Sequence, residues 1–73
     1  MSEYKIKLTK ESVFQFVREA EKCDCDVDLC YDRLVIDAKS ILGVLSMDLT
    51  RVMTVRFADD ADHSKHIAAY AVN

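Results

Sequence analysis

A chain of 73 residues has room for one small domain and no more, so residues 1–73 are expected to fold as a single unit. Ten Lys and Arg stand against 13 Asp and Glu, and a net charge of −3 does not suit a nucleic-acid backbone as partner. At 51% hydrophobic and 32% charged residues the chain is too apolar for a disordered tail, yet no run approaches the ~20 apolar residues of a membrane span. Residues 1–7 alternate charged and apolar side chains, without the hydrophobic run of ~7–15 residues expected of an export signal. With an odd count of three cysteines, the expectation is a cytoplasmic protein with reduced thiols.

Tyr4, Ile6 and Leu8 alternate with Lys5 and Lys7, which predicts a first strand with one wet face. Thr9 is placed to cap a helix over residues 10–22, whose apolar face is Val13, Phe16, Val17 and Ala20, with Glu11 in the first turn. Asp24, Asp26 and Asp28 then alternate with Cys25, Val27, Leu29 and Tyr31, the clearest strand pattern in the chain. Asp32-Arg33 makes a tight connection to a strand over residues 34–37, although it lacks the glycine that a primed turn prefers. Ser40 is a good N-cap for a short helix over residues 41–47. Residues 50–57 read as a fourth strand, with Val52, Thr54 and Arg56 on one face and Val55 and Phe57 on the other. Asp59, Asp60 and Asp62 load the start of a last helix, whose apolar side is Ile67, Ala68, Tyr70 and Ala71. The order is βαββαβα, without linker, repeat or proline, and with a single glycine, Gly43.

The helix after Ser40 is apolar almost all round, with Ile41, Leu42, Val44, Leu45 and Met47. A short helix on a sheet buries only one stripe, so part of this set is expected to remain exposed as a partner-binding patch. Gly43 in mid-helix costs ~1 kcal/mol relative to alanine, which points to a close approach at that position.

Residues 37–49, DAKSILGVLSMDL, resemble the regulatory-serine segment of HPr, the histidine-containing phosphocarrier of the bacterial sugar phosphotransferase system. The resemblance runs from about Val17 to Phe57 and implies an α+β open-faced sandwich, with a four-stranded antiparallel sheet and three helices on one face. In that family the first strand leads into a loop with Gly, His, Arg and Pro, whose His accepts the phosphoryl group. Here residues 9–12 are Thr-Lys-Glu-Ser, about four residues short of that loop, and the earliest histidine is His63. The resemblance therefore implies an HPr-like protein without the carrier histidine, similar to the catabolite-repression HPr paralogue that serves as a corepressor.

Ser40 matches the family serine that a dedicated HPr kinase phosphorylates, and Ile41, Leu42, Leu45 and Met47 match its docking surface. Expected partners are proteins: the kinase, a transcriptional repressor or another phosphotransferase-system component. The family's active-site arginine, which takes part in repressor docking, has no counterpart. An alternative reading keeps the chain as a phosphocarrier with His63 or His66 as acceptor. No nucleophile–base–orienter trio or glycine-rich phosphate loop is present, so neither an enzyme nor a small-molecule substrate is expected.

Metal chemistry is the third reading, a metal-responsive module of cysteines and histidines. Cys23, Cys25 and Cys30 offer soft ligands, but in a strand Cys25 points inward and Cys30 outward, which keeps them apart. His63 and His66 share a helix face, yet a structural site would need Asp59, Asp60 or Asp62 to complete it. Cys25 reads as a small apolar core residue and the histidine pair as part of a solvated helix start, so the expectation is no metal and no cofactor. The aspartate row lacks the glycine and glutamate of a calcium loop.

Overall fold

The computed structural model describes residues 1–72. Strand β1 (Ser2–Ile6) leads through a 3-10 turn (Lys10–Ser12) into helix α1 (Val13–Glu21). Strands β2 (Val27–Tyr31) and β3 (Leu34–Asp37) form a hairpin, followed by α2 (Ile41–Leu45), β4 (Met53–Phe57) and the short α3 (Ser64–Ile67). The sheet order is β1-β4-β2-β3, and every pairing is antiparallel. This is the expected βαββαβα open-faced sandwich.

Register explains which side chains face the helices. Tyr4, Val55, Leu29 and Ile36 lie side by side across the four strands, and Ser2, Phe57 and Val27 form the neighbouring row. On this face Ile6, Val27, Leu29, Met53, Val55 and Phe57 join Val13, Phe16, Val17 and Ala20 of α1 in one core. Burying a side chain such as Leu29 or Phe16 contributes ~2–3 kcal/mol. The other face is polar and open: Arg56 pairs with Glu3 at 2.9 Å, and Lys5 donates to Thr54 Oγ1 at 2.7 Å.

Several elements are shorter than the periodicity predicts. The first helix begins as a 3-10 turn because the Ser12 hydroxyl folds back on Thr9, accepting from its N–H at 2.9 Å and donating to its carbonyl at 3.0 Å. Strand β2 starts at Val27 rather than at Asp24, because ladder pairing with β4 starts at Val27↔Phe57 and with β3 at Asp28↔Asp37. Residues 24–26 therefore turn along the end of the sheet, held by the Ala58 N–H on the Asp26 carbonyl at 2.9 Å. The Asp32-Arg33 turn closes without glycine because Asp32 takes a φ of 54°, a left-handed conformation that Asp tolerates better than most residues. No helix among the described residues is long and apolar enough to cross a membrane.

Candidate functional site

Helix α2 runs alongside α1 in the opposite direction. Its start is tied to the end of α1 by Lys39, whose Nζ donates to the Cys23 carbonyl at 2.8 Å, while Leu45 and Met47 reach the segment that enters α1. Ser40 occupies the N-cap in extended conformation, and its Oγ accepts from the Gly43 N–H at 3.1 Å. The glycine is explained here. A Cβ on Gly43 would lie 3.3 Å from Ser40 Oγ and 3.6 Å from Ile36 Cδ1, so the serine side chain occupies the space that a larger residue needs.

Ile41, Leu42 and Leu45 are exposed, Leu42 to 81%, whereas Val44 is fully buried. Met47 departs from the expected patch. It lies beyond the Ser46 C-cap, is only 6% exposed and packs into the core, so it cannot stand on an exposed docking face. Beside it, Leu8, Leu45, Met47 and Leu49 line a groove of about 520 Å³ with Lys7 and Lys10. Phe14, 57% exposed on α1, adds an aromatic that the helical pattern of Val13, Phe16, Val17 and Ala20 had left on the wet side.

The first turn before α1 offers Thr9, Lys10, Glu11 and Ser12 and no imidazole. Both histidines lie at the other end of that helix. His63 is buried, its ring stacked on Phe57 with centroids 4.0 Å apart and its backbone N–H donating to the Tyr4 hydroxyl at 2.9 Å. His63 Nε2 lies 2.6 Å from Asp59 Oδ1, and Nδ1 faces Cys23 Sγ at 3.9 Å. His66 Nδ1 lies 3.0 Å from Glu19 Oε1, and the two imidazole centroids are 6.0 Å apart.

The three aspartates before α3 divide their work. Asp59 serves His63, Asp60 pairs with the N-terminal ammonium, and Asp62 accepts from the Ser64 N–H at 2.9 Å. The hydrogen bond with His63 is the main cause holding Asp59 below the ordinary carboxylate range, and Lys22 followed by His66 does the same for Glu19.

The cysteines fall differently from a simple strand alternation. Cys23 takes the core position, and burial pushes its thiol pKa up, while Cys25 is only half-buried. The late start of β2 is the reason, since alternation does not extend back to residue 25. Cys30 lies on the polar face as expected, opposite Val35 and Thr54, but those neighbours cover it, and burial raises its thiol pKa as well.

A sheet of order β1-β4-β2-β3 with its helices packed on one face and an N-capped short helix after the hairpin defines an α+β open-faced sandwich. Comparison with family models matches residues 6–71 to the family described as PTS HPr component phosphorylation site, and the chain belongs to that HPr family. A search of curated proteins finds no match. Family membership makes this a protein related to the phosphotransferase system, in which HPr components interact with other proteins.

Proposed function

We propose that this chain is a cytoplasmic regulatory docking module of the sugar phosphotransferase system, not a phosphocarrier, and that phosphorylation of Ser40 switches it. The observation that carries this reading is the pairing of a serine-capped helix with exposed Ile41, Leu42 and Leu45 in a chain whose residues 9–12 hold no acceptor imidazole. Ser40 Oγ carries a hydroxyl proton that transfer from ATP replaces with a phosphoryl group. At that place the new charge meets the positive end of the helix and its free amides. The fold stays intact while the surface beside Leu42 changes from apolar to apolar-next-to-dianionic. A partner that docks on α2 is thereby gained or lost. Its groove would be entered past Lys7 and Lys10, which suits a partner with an acidic rim.

His63 and His66 do not suit the carrier role. Each has a ring nitrogen on a carboxylate, Asp59 or Glu19, and those charges oppose an incoming phosphoryl group. His63 is in addition buried under Phe57.

Intact mass after incubation with an HPr serine kinase and ATP tests the switch, alongside a second incubation with Enzyme I and phosphoenolpyruvate. One phosphate from the kinase, absent in Ser40→Ala, is the expected result. Acid-labile phosphate taken from Enzyme I would overturn the non-carrier reading, and no uptake from the kinase would remove Ser40 as the switch.

A further inference from the structure

The sequence separates its candidate metal ligands by 40 residues, and the fold brings them together. Cys23 Sγ, His63 and His66 each place a ligand atom within 4.8 Å of the others, at the end of α1 remote from the apolar groove. We propose that Cys23, His63 and His66 bind one zinc ion, with the fourth position open to water. This inference stands on a different part of the molecule from the Ser40 reading and does not depend on it.

The distances suit the ion. Tetrahedral zinc holds thiolate at ~2.3 Å and imidazole nitrogen at ~2.0–2.1 Å, which sets sulfur and nitrogen ~3.6 Å apart. Cys23 Sγ and His63 Nδ1 are 3.9 Å apart, so that pair needs a shift of only a few tenths of an ångström, and the His66 nitrogen lies within 4.8 Å of both.

The surroundings have the features of a metal site beyond its ligands. Histidines that hold a metal almost always give their other ring nitrogen to a carboxylate or carbonyl, which fixes the tautomer and makes the ligand more basic. Asp59 does this at His63 Nε2, which leaves Nδ1 as the nitrogen facing Cys23. Glu19 holds His66 in the same manner through Nδ1. The His63 ring is also fixed from behind by its stack on Phe57, and its backbone is held by the Tyr4 hydroxyl. Two carboxylates close to the ligands balance the two ammonium groups nearby, Lys22 on Glu19 and Lys39 on the Cys23 carbonyl.

The donor set chooses the metal. One thiolate and two imidazoles suit zinc and exclude magnesium and calcium, which take oxygen ligands. On binding, the S–Zn bond replaces the S–H bond of Cys23, and one proton leaves to solvent. Cys25 forms a second group with Asp59 and His63, on the side of the ring that Asp59 holds, so the fourth position is left to water.

Titration of the reduced, metal-free full chain with zinc chloride, followed by calorimetry and by thermal melting, tests the site. Expected are a single equivalent bound and a Tm raised by roughly 10 °C or more at a hundredfold excess over Kd. Cobalt substitution should give the visible bands of a tetrahedral ion and a thiolate-to-cobalt charge-transfer band in the near ultraviolet. Cys23→Ser and His66→Gln should each weaken binding at least tenfold, while Cys30→Ser leaves it unchanged. His66 is only half-buried, so its variant keeps the fold, and circular dichroism checks this. Absence of binding by the wild-type chain would overturn the proposal. So would affinity that survives both Cys23→Ser and His66→Gln, or that is lost in Cys30→Ser alone.

Discussion

The two ends of α1 have been put to opposite uses. At its N-terminal end, Thr9, Lys10, Glu11 and Ser12 form a small turn closed on itself by the Ser12 hydroxyl, beside a groove whose walls are Leu8, Leu45, Met47 and Leu49. No imidazole lies there, and what the surface offers is shape, apolar area, two lysines and Asp48. At its C-terminal end, Glu19 and Cys23 meet Asp59, His63 and His66, an assembly rich in titratable groups and half hidden from solvent. In a carrier of this fold, chemistry belongs at the N-terminal end, where free helix amides face a phosphate. Here that end presents Thr9, Lys10, Glu11 and Ser12, and the titratable side chains gather at the C-terminal end of α1, where the helix offers carbonyls instead of amides. A cation suits that end and an anion does not.

The largest effect expected comes from Met47, the residue that divides the groove from the core. Met47→Ala should destabilise the domain by ~2–4 kcal/mol, because its 6% exposure makes the change a core truncation. Leu42→Ala, five residues earlier and 81% exposed, should stay within ~0.5 kcal/mol. Urea melts of the two variants decide the matter. Equal losses would mean that α2 presents no free face and would remove the docking surface. At the opposite end, His63→Ala should cost about 2 kcal/mol through the lost stack on Phe57 and the space left behind, and His66→Ala less than half of that. Equal costs would show that the two imidazoles are buried alike and are not an inner and an outer member of one cluster.

How much of this could be read from residues alone differs between the two ends. Strand and helix order, the Ser40 cap and the exposure of part of α2 follow from local patterns, and local patterns are visible in sequence. The fate of Met47 is not, because whether the residue after a C-cap turns inward depends on the path to β4 and not on helical spacing. The cluster of Cys23, His63 and His66 was less legible still. The cysteines lie within eight residues of one another and the histidines within four, and spacing within either set names no member of the other as its neighbour. Only tertiary packing sets the end of α1 beside the start of α3, and no periodicity carries that information. Cys23 took the place that strand alternation had given to Cys25, because β2 lacks a ladder partner before Val27.

A smaller effect separates capping from signalling at the start of α2. Ser40→Ala should cost ~1 kcal/mol, since the Gly43 N–H loses its acceptor, and Ser40→Asp should cost only a few tenths because aspartate caps as well as serine. Thermal melts of the wild-type chain and the two variants give the stabilities. If Ser40→Asp melted as low as Ser40→Ala, a negative charge at this cap would disturb the helix, and the idea that phosphorylation leaves the fold intact would not survive.

The smallest effect is one of pH, and it concerns the carboxylates of the histidine cluster. Asp59 and Glu19 have folded-state pKa values below their ordinary ones, the first mainly through His63 and the second mainly through Lys22 and then His66. The unfolded chain therefore binds protons at a higher pH than the folded one does. Their contribution is fully present above the ordinary carboxylate range near pH ~4 and is lost as pH falls through the depressed values. Chemical denaturation followed at a series of pH values from neutral to acid should show stability declining in that window. Asp59→Asn should make the decline shallower, because one group that takes up a proton on unfolding has been removed. Phe14→Ala at the other end of α1 should leave the slope unaltered, since no titratable partner is lost there. If both variants changed the slope equally, acid sensitivity would be a property of the whole chain, and the division of α1 into an apolar end and a titratable end would lose its electrostatic half.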